Sequence, residues 1–260
     1  MRLAILDQYC GHVNQGMRCI EQIAKDAGLE IDHYDVRGKN EIPKAKDYRL
    51  FLSTGGPGDP HEVEHMEWGK PWGCFLEELL ELNKGDEKRH AFLICHSYQM
   101  ACIHWGLAEV TQRRKPAFGI YPMHKTEAGK TDPVLEGLPD PFWVIDSRDW
   151  QVVQPHVKAM DRFGVKALAI ERDRPHVKLQ RAAMAIRFSP EIVGTQFHPE
   201  ADDSSMQAYI DDPKMVEQLA GKHGLDRIEK IKENLGDLMK VQFTRQHLLP
   251  NFLKDALNKI

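Results

Sequence analysis

The chain has 260 residues, 42% hydrophobic and 28% charged, with a formal net charge of −4; this is the composition of one large globular domain or one domain with an appendage. Its acidic balance argues against a nucleic-acid partner, and no apolar stretch approaches the length that spans a membrane. Met1 leads straight into a strand-like run without a signal-peptide pattern, and Cys10, Cys19, Cys74, Cys95 and Cys102 are odd in number and lack C-x-x-C spacing, which fits reduced thiols in the cytoplasm.

In chain order, residues 3–6 read as a short buried strand, and Asn14 is placed to cap a helix running to Ala27, with Gly28 as its stop. Residues 29–36 and 49–53 read as the next two strands, the second running into Thr54-Gly55-Gly56-Pro57. Strands alternating with helices predict a parallel sheet covered on both faces, whose site lies beyond the carboxyl ends of the strands. Asp7, Gly55-Gly56 and Cys95 are thereby expected to meet. Residues 59–72 read as a loop or lid over that site. His61-Glu62-Val63-Glu64-His65 matches H-E-x-x-H, but zinc needs both imidazoles on one helix face, and the flanking Gly and Pro residues suit a loop. No metal or cofactor is expected.

Residues 72–82 are helical in pattern, and 84–88 form a polar turn. Residues 91–94 are an apolar run ending abruptly at Cys95, after which Met100, Ile103 and Leu107 recur at helical spacing. A buried strand feeding a helix through one nucleophilic residue is the pattern of a nucleophile elbow, which lifts that side chain out of the sheet's end. It also aims the first free N–H groups of the helix at whatever binds there, and a thiol so placed carries more thiolate. A buried core cysteine is the alternative, since a single Cys is only a candidate. Farther on, Arg113-Arg114-Lys115 reads as a solvated turn. Residues 117–124 and 142–145 read as strands, and 165–170, 182–188 and 192–197 as a second, antiparallel patch. Residues 208–219, 225–235 and 238–257 are helical patterns broken at Gly221, Gly224 and Gly236.

Three stretches belong together. Ser53-Thr54-Gly55-Gly56-Pro57, Cys95-His96-Ser97-Tyr98-Gln99 and His198-Pro199-Glu200 follow one another in the order of a [ST]-G-G-P loop, a G-x-C-x-G-x-Q elbow and an H-P-E triplet. Residues 1–202 therefore resemble the class I glutamine amidotransferase family, and are similar to the glutaminase domain of GMP synthase. The resemblance implies a flavodoxin-like α/β fold over 1–202, with a mostly parallel central sheet, and leaves 203–260 as a helical extension packed on it or used in a homodimer contact. It implies Cys95 as nucleophile, His198 as base and Glu200 as its orienting carboxylate. The backbone N–H groups of Gly56 and His96 then form the oxyanion hole, and Gly55, Gln99, Arg148, Asp149 and Trp150 the substrate pocket. His198 and Glu200 also pair on physical grounds, because residues i and i+2 of an extended segment face the same side.

Two departures stand out. Gly flanks the family's cysteine on both sides, whereas this chain has Leu93 and Ser97, and Leu93 needs room below the turn. The family's His-Gly-Asp or His-Ser-Asp segment reads Asp146-Ser147-Arg148-Asp149-Trp150 here. The expected partner is glutamine or another γ-glutamyl compound; with no G-x-x-x-x-G-K-[ST] phosphate loop or synthetase module, an ammonia-accepting enzyme would be a separate polypeptide. A stand-alone γ-glutamyl hydrolase or peptidase is the first alternative, and a non-catalytic binding module on the same fold the second.

Overall fold

The computed structural model describes residues 1–12, 14–175 and 177–260, with the side chains of all these except 215, 218, 222 and 223. Its strands are β1 (Arg2–Asp7), β2 (Glu30–Asp35), β3 (Leu50–Ser53), β4 (His90–Ile94), β5 (Ala108–Lys125), β6 (Phe142–Pro155), β7 (Lys166–Glu171), β8 (Ala183–Arg187) and β9 (Ile192–Thr195). The helices are α1 (Gln15–Asp26), α2 (Val36–Lys39), α3 (Gly69–Leu82), α4 (His96–His104), α5 (Glu127–Lys130), α6 (Val157–Phe163), α7 (Asp203–Asp211), α8 (Pro213–His223), α9 (Leu225–Leu235) and α10 (Val241–Leu257).

All the strands join one sheet of order β2-β1-β3-β4-β9-β8-β7-β5-β6. The first five are parallel, and this 2-1-3-4-9 half has the strand order of a flavodoxin-like sheet. β3 and β4 are wholly buried and apolar except for Ser53 and His90 at their ends, as strands covered on both faces must be. One face packs Leu3, Ile5, Leu52 and Phe92 against Ile20 and Ile23 of α1 and Leu249, Phe252 and Leu253 of α10. The other packs Leu6, Phe51 and Leu93 against Trp72, Phe75, Leu76 and Leu79 of α3 and Met100 of α4. A third cluster joins Ile120 and Ile145 of the β5–β6 hairpin to Met206, Ile210, Leu219, Ile228 and Ile231 of α7–α9. The C-terminal helices thus do two jobs: α10 covers the main sheet, and α7–α9 cap the hairpin.

Several expectations are corrected. The antiparallel strands are not a separate patch: β9 pairs parallel with β4 and antiparallel with β8, so one continuous sheet changes direction there. β5 and β6 run far beyond 117–124 and 142–145, because charged and polar residues on one face obscure their alternation; a register break between Gln112 and Ala117 lets the hairpin bend. Arg113-Arg114-Lys115 lies in that bulged stretch rather than in a solvated turn, and Arg113 reaches Gln151 at 3.0 Å and Glu171 at 3.8 Å. The helix expected over 208–219 is two helices. Asp212 ends α7 and caps α8 through Lys214 N–H, with Pro213 at the first helical position, while Gly221 lies inside α8. No helix among the described residues is long and apolar enough to cross a membrane.

Candidate active site

Cys95 sits at the carboxyl end of β4 with φ +47° and ψ −96°, and α4 starts at the next residue. A non-glycine residue persists in such a sparsely populated conformation only where its surroundings over-determine it. Here they do. Cys95 N–H donates to Thr195 O at 2.7 Å, and Gln99 N–H returns to Cys95 O at 3.0 Å. Leu93, the residue that stands where the family has glycine, lies opposite Gly194 in the β4–β9 register. A Cβ on Gly194 would come within 2.7 Å of Leu93 O and 3.0 Å of Leu93 Cβ. The space lost at the elbow is therefore recovered on the neighbouring strand. Ser97, the second departure, donates to Thr54 O at 2.7 Å and meets Ser53 Oγ at 2.7 Å, which also accepts from Trp72 Nε1 at 3.3 Å. These hydroxyls tie the elbow helix to the Gly-Gly loop.

That loop is fixed from its other side as well. Thr54 N–H donates to Leu6 O at 3.0 Å, and Gln8 N–H donates to Thr54 Oγ1 at 2.9 Å. At Gly56 a Cβ would lie 2.5 Å from the Gln8 carbonyl oxygen, so only glycine allows this close approach. Gly56 and His96 both line the cavity that contains Cys95, and the first N–H groups of α4 have no partner within the helix. The His96 imidazole is buried and neutral, its pKa lowered by burial and by Arg37 to about 3, so only its backbone amide is suited to an electrostatic role. Gly55 does not line the cavity as expected of a substrate-contacting residue. It lies against the imidazole, where an added Cβ would touch His198 Cε1 at 3.0 Å and Cys95 Cβ at 3.5 Å.

His198 and Glu200 project together from the end of β9. His198 Nδ1 and Glu200 Oε1 are 2.8 Å apart, and His198 N–H donates to Ile145 O of β6 at 3.0 Å. Burial alone would lower the His198 pKa, but Glu200 and the Cys95 sulfur, each through charge and hydrogen bonding, hold it well above its ordinary value. Glu200 is fully buried, and its second oxygen has no partner among the described residues. The Cys95 thiol points toward Ser147 O of β6 at 3.8 Å and accepts from Gln196 Nε2 at 3.8 Å. Gln99 is buried and donates to Gln196 Oε1 at 3.2 Å.

Arg148, Asp149 and Trp150 also line the cavity. Arg148 is buried, with Nε on Asp146 at 3.1 Å and Nη2 on Glu171 at 3.2 Å, leaving Nη1 without a partner among the described residues. Glu171 also pairs with Arg174, and burial and Arg148 lower the Arg113 pKa beside them to about 10. Trp150 packs edge-on against His61 at 5.4 Å. His61 also holds Val110 O at 3.0 Å, and residues 60–64 form a 3-10 helix, in which i and i+4 do not stack as the zinc pattern requires. Among the described residues lining the cavity, none comes from 59–72, although the preceding Gly58 is one of them, and His61 meets the site only through the cavity-lining Trp150.

Sequence reasoning missed Tyr9, Ser147 and Gln196. Asp7, expected at the site, instead accepts from Tyr9 N–H at 2.7 Å, and this turn puts the buried Tyr9 into the cavity. The Tyr9 hydroxyl lies against Gly55 and Gly16, and burial, followed by Glu200 and Cys95, raises its pKa well above the phenol range. Gln196 had a usable signal: it stands two residues before His198, just past the end of β9. Ser147 contributes a carbonyl, which no side-chain pattern can report.

The model of the family described as "Glutamine amidotransferase class-I" matches residues 5–216. The chain belongs to that family. No curated protein matches it in sequence. Among solved structures, a glutamine amidotransferase from Thermotoga maritima superposes with a TM-score of 0.70 at 17% identity, covering 98% of each chain. A glutamine amidotransferase from Methylobacillus flagellatus gives 0.69 at 12% identity, over 100% of this chain and 94% of that one. A putative GMP synthase protein from Thermoplasma acidophilum gives 0.61 at 14% identity, over 99% and 96%. At such identities these likenesses concern the fold.

Proposed function

We propose that this amidotransferase-family chain hydrolyses a γ-glutamyl amide through a thioester on Cys95. The sulfur attacks the γ-carboxamide carbon, and its proton passes to His198. The oxyanion that develops is received by the N–H groups of Gly56 and His96. His198, oriented by Glu200, then protonates the nitrogen as the C–N bond breaks, and the amine departs. A water molecule, giving its proton to the same imidazole, attacks the thioester, releases glutamate and restores the thiol. With glutamine as substrate the product amine is ammonia, delivered to an acceptor enzyme on a separate chain. The observation that carries the proposal is the 2.8 Å His198–Glu200 contact on an imidazole whose pKa the Cys95 sulfur helps to raise. It supports the reading of Cys95, His198 and Glu200 as nucleophile, base and the carboxylate that orients the base. Five free cysteines support a reducing compartment such as the cytoplasm.

A stand-alone γ-glutamyl hydrolase is the second reading, favoured by one observation. The cavity measures about 450 Å³, within the range of drug-sized ligands and more than glutamine fills. Glutamate release from glutamine, measured for wild type and Cys95→Ala, tests the chemistry. The substitution is expected to lower the rate by at least about 10⁴-fold, and a diazoketone analogue of glutamine should label Cys95 in the wild type. Equal release by the two proteins would sink the proposal.

A further inference from the structure

We infer that the cavity contains, on the His198 side of the nucleophile, a subsite for an apolar substituent on the leaving amine, so that the preferred substrate class is the γ-glutamyl amide of an alkyl or arylalkyl amine. The inference rests on the thioester chemistry above and adds the identity of the leaving group.

The cavity of about 450 Å³ is of a size that holds ligands well beyond the about ten non-hydrogen atoms of glutamine. Its far wall is apolar and belongs to the hairpin and its helical cap. Phe118 is the cross-strand partner of Ser147, whose carbonyl stands 3.8 Å from the Cys95 sulfur. Adjacent strands are separated by about 4.8 Å, so the wall begins one strand away from the reacting atom. Ile145 accepts the His198 N–H at 3.0 Å. Met206 and Leu219 pack with Ile145, and the Tyr209 ring lies edge-on to Phe118 at 6.1 Å. All five side chains line the cavity together with Cys95 and His198.

Reaction geometry decides which part of a substrate meets this wall. When the thioester forms, the Sγ–C bond is made, the C–N bond breaks, and the nitrogen leaves with the proton that His198 carries. The nitrogen must therefore approach the imidazole, and any group attached to it extends along the imidazole's side of the cavity. That side is built by Ile145, which is hydrogen-bonded to His198, and by α7, which begins three residues beyond Glu200. Ammonia leaves this surface unfilled. An alkyl or benzyl group would bury itself against it, and one methylene in such a pocket changes specificity by roughly 10-fold or more.

The test is kcat/KM for glutamine and for γ-glutamyl methylamide, n-butylamide and benzylamide, amines of closely similar leaving-group chemistry. A rise of at least about 10-fold from methylamide to benzylamide is expected, with glutamine below the butyl compound. Tyr209→Ser and Met206→Gln, each checked for an unchanged melting temperature, should lower the benzylamide-to-methylamide ratio by about 10-fold. Tyr209 is half-exposed, so its variant stays informative even if the buried Met206 variant fails to fold. A flat or falling series in the wild type, or a ratio unmoved in the folded Tyr209 variant, overturns the subsite. If that happens while the diazoketone still labels Cys95 and glutamine still yields glutamate, the subsite alone is wrong. Absence of labelling together with no hydrolysis of any amide removes the thioester reading, and the subsite falls with it.

Discussion

The two halves of the sheet hold their share of the site by different means. In the parallel half, β3, β4 and β9 are buried on both faces, and Cys95 and the Gly-Gly loop are fixed by backbone bonds and by the Ser53 and Ser97 hydroxyls, which reach the Thr54 carbonyl, while His198 N–H crosses to Ile145 O of β6. In the antiparallel half, the β5–β6 hairpin lines the cavity. It is held by a buried charge cluster, Arg148 with Asp146 and Glu171, and by the cap of α7–α9. Apolar packing around backbone bonds tolerates little displacement. Ion pairs and a helical cap can change residue by residue without moving the nucleophile. Under the proposed chemistry the nucleophile therefore resides in the first half, and the selection of substrate is assigned to the second.

The sharpest way to break this contrast acts on the parallel half. Glu200→Gln removes the carboxylate that orients the imidazole, and activity is expected to fall by about 10²–10⁴-fold. NMR titration of His198 should show its pKa moving down, because the charge of Glu200 is a main cause of its elevation. The sign for stability follows. A histidine whose folded pKa is raised contributes its stabilisation in full below the unfolded value of about 6.5, and that contribution is lost as pH rises through the higher folded value. Denaturation midpoints of wild type and Glu200→Gln should therefore diverge most in acid and converge in base. An unmoved His198 pKa in the variant would contradict the assignment.

On the hairpin side, Arg148→Met leaves Asp146 buried without its cation and should destabilise the fold by about 3–5 kcal/mol, read from urea denaturation. If stability is unchanged while KM for the amide rises, Arg148 serves substrate rather than the hairpin. Gly56→Ala puts a methyl 2.5 Å from the Gln8 carbonyl. Shifting one oxyanion donor should lower kcat by about 10²–10³-fold, with labelling of Cys95 slowed in parallel. The smallest effect is expected for Gly194→Ala, whose methyl presses on Leu93. Overpacking of this kind costs about 1–3 kcal/mol, and Leu93→Gly in the same chain should recover only part of it, since it removes the 3.0 Å contact with Leu93 Cβ but leaves the 2.7 Å contact with Leu93 O, as a double-mutant cycle would measure.

Legibility in the sequence followed the same division. Strands β3 and β4 carry no polar residue on either face except at their ends, so burial and chain direction were readable from composition alone. The elbow followed from an apolar run stopping at Cys95; the His198–Glu200 pairing was expected from the two-residue period of an extended chain, but Pro199 and Glu200 lie in a turn closed by Ala201 N–H on His198 O. Strands β5 and β6 were only partly legible, since their polar faces read as loop and the bulge at Gln112–Ala117 interrupts the alternation. Arg113 read as solvated because its partners, Gln151 and Glu171, lie far away in the chain. Tyr9 gave no signal, because its entry into the cavity depends on a turn closed by Asp7. The position of Gly194 opposite Leu93 needed the β4–β9 register, which no local pattern contains.

Helix α10 has a consequence for how the protein is made. Leu249, Phe252 and Leu253 cover Leu3, Leu52 and Phe92, residues synthesised well over a hundred positions earlier. Until α10 emerges from the ribosome, that side of the nascent sheet has α1 but not α10 to cover it, and the apolar surface left open is in the condition that invites chaperones or clumping. Because β4 must also wait for β9 before it gains its second neighbour, the surroundings of the thiol at its tip are assembled late, and a translation fragment stopped short of β9 would have neither a closed sheet nor His198.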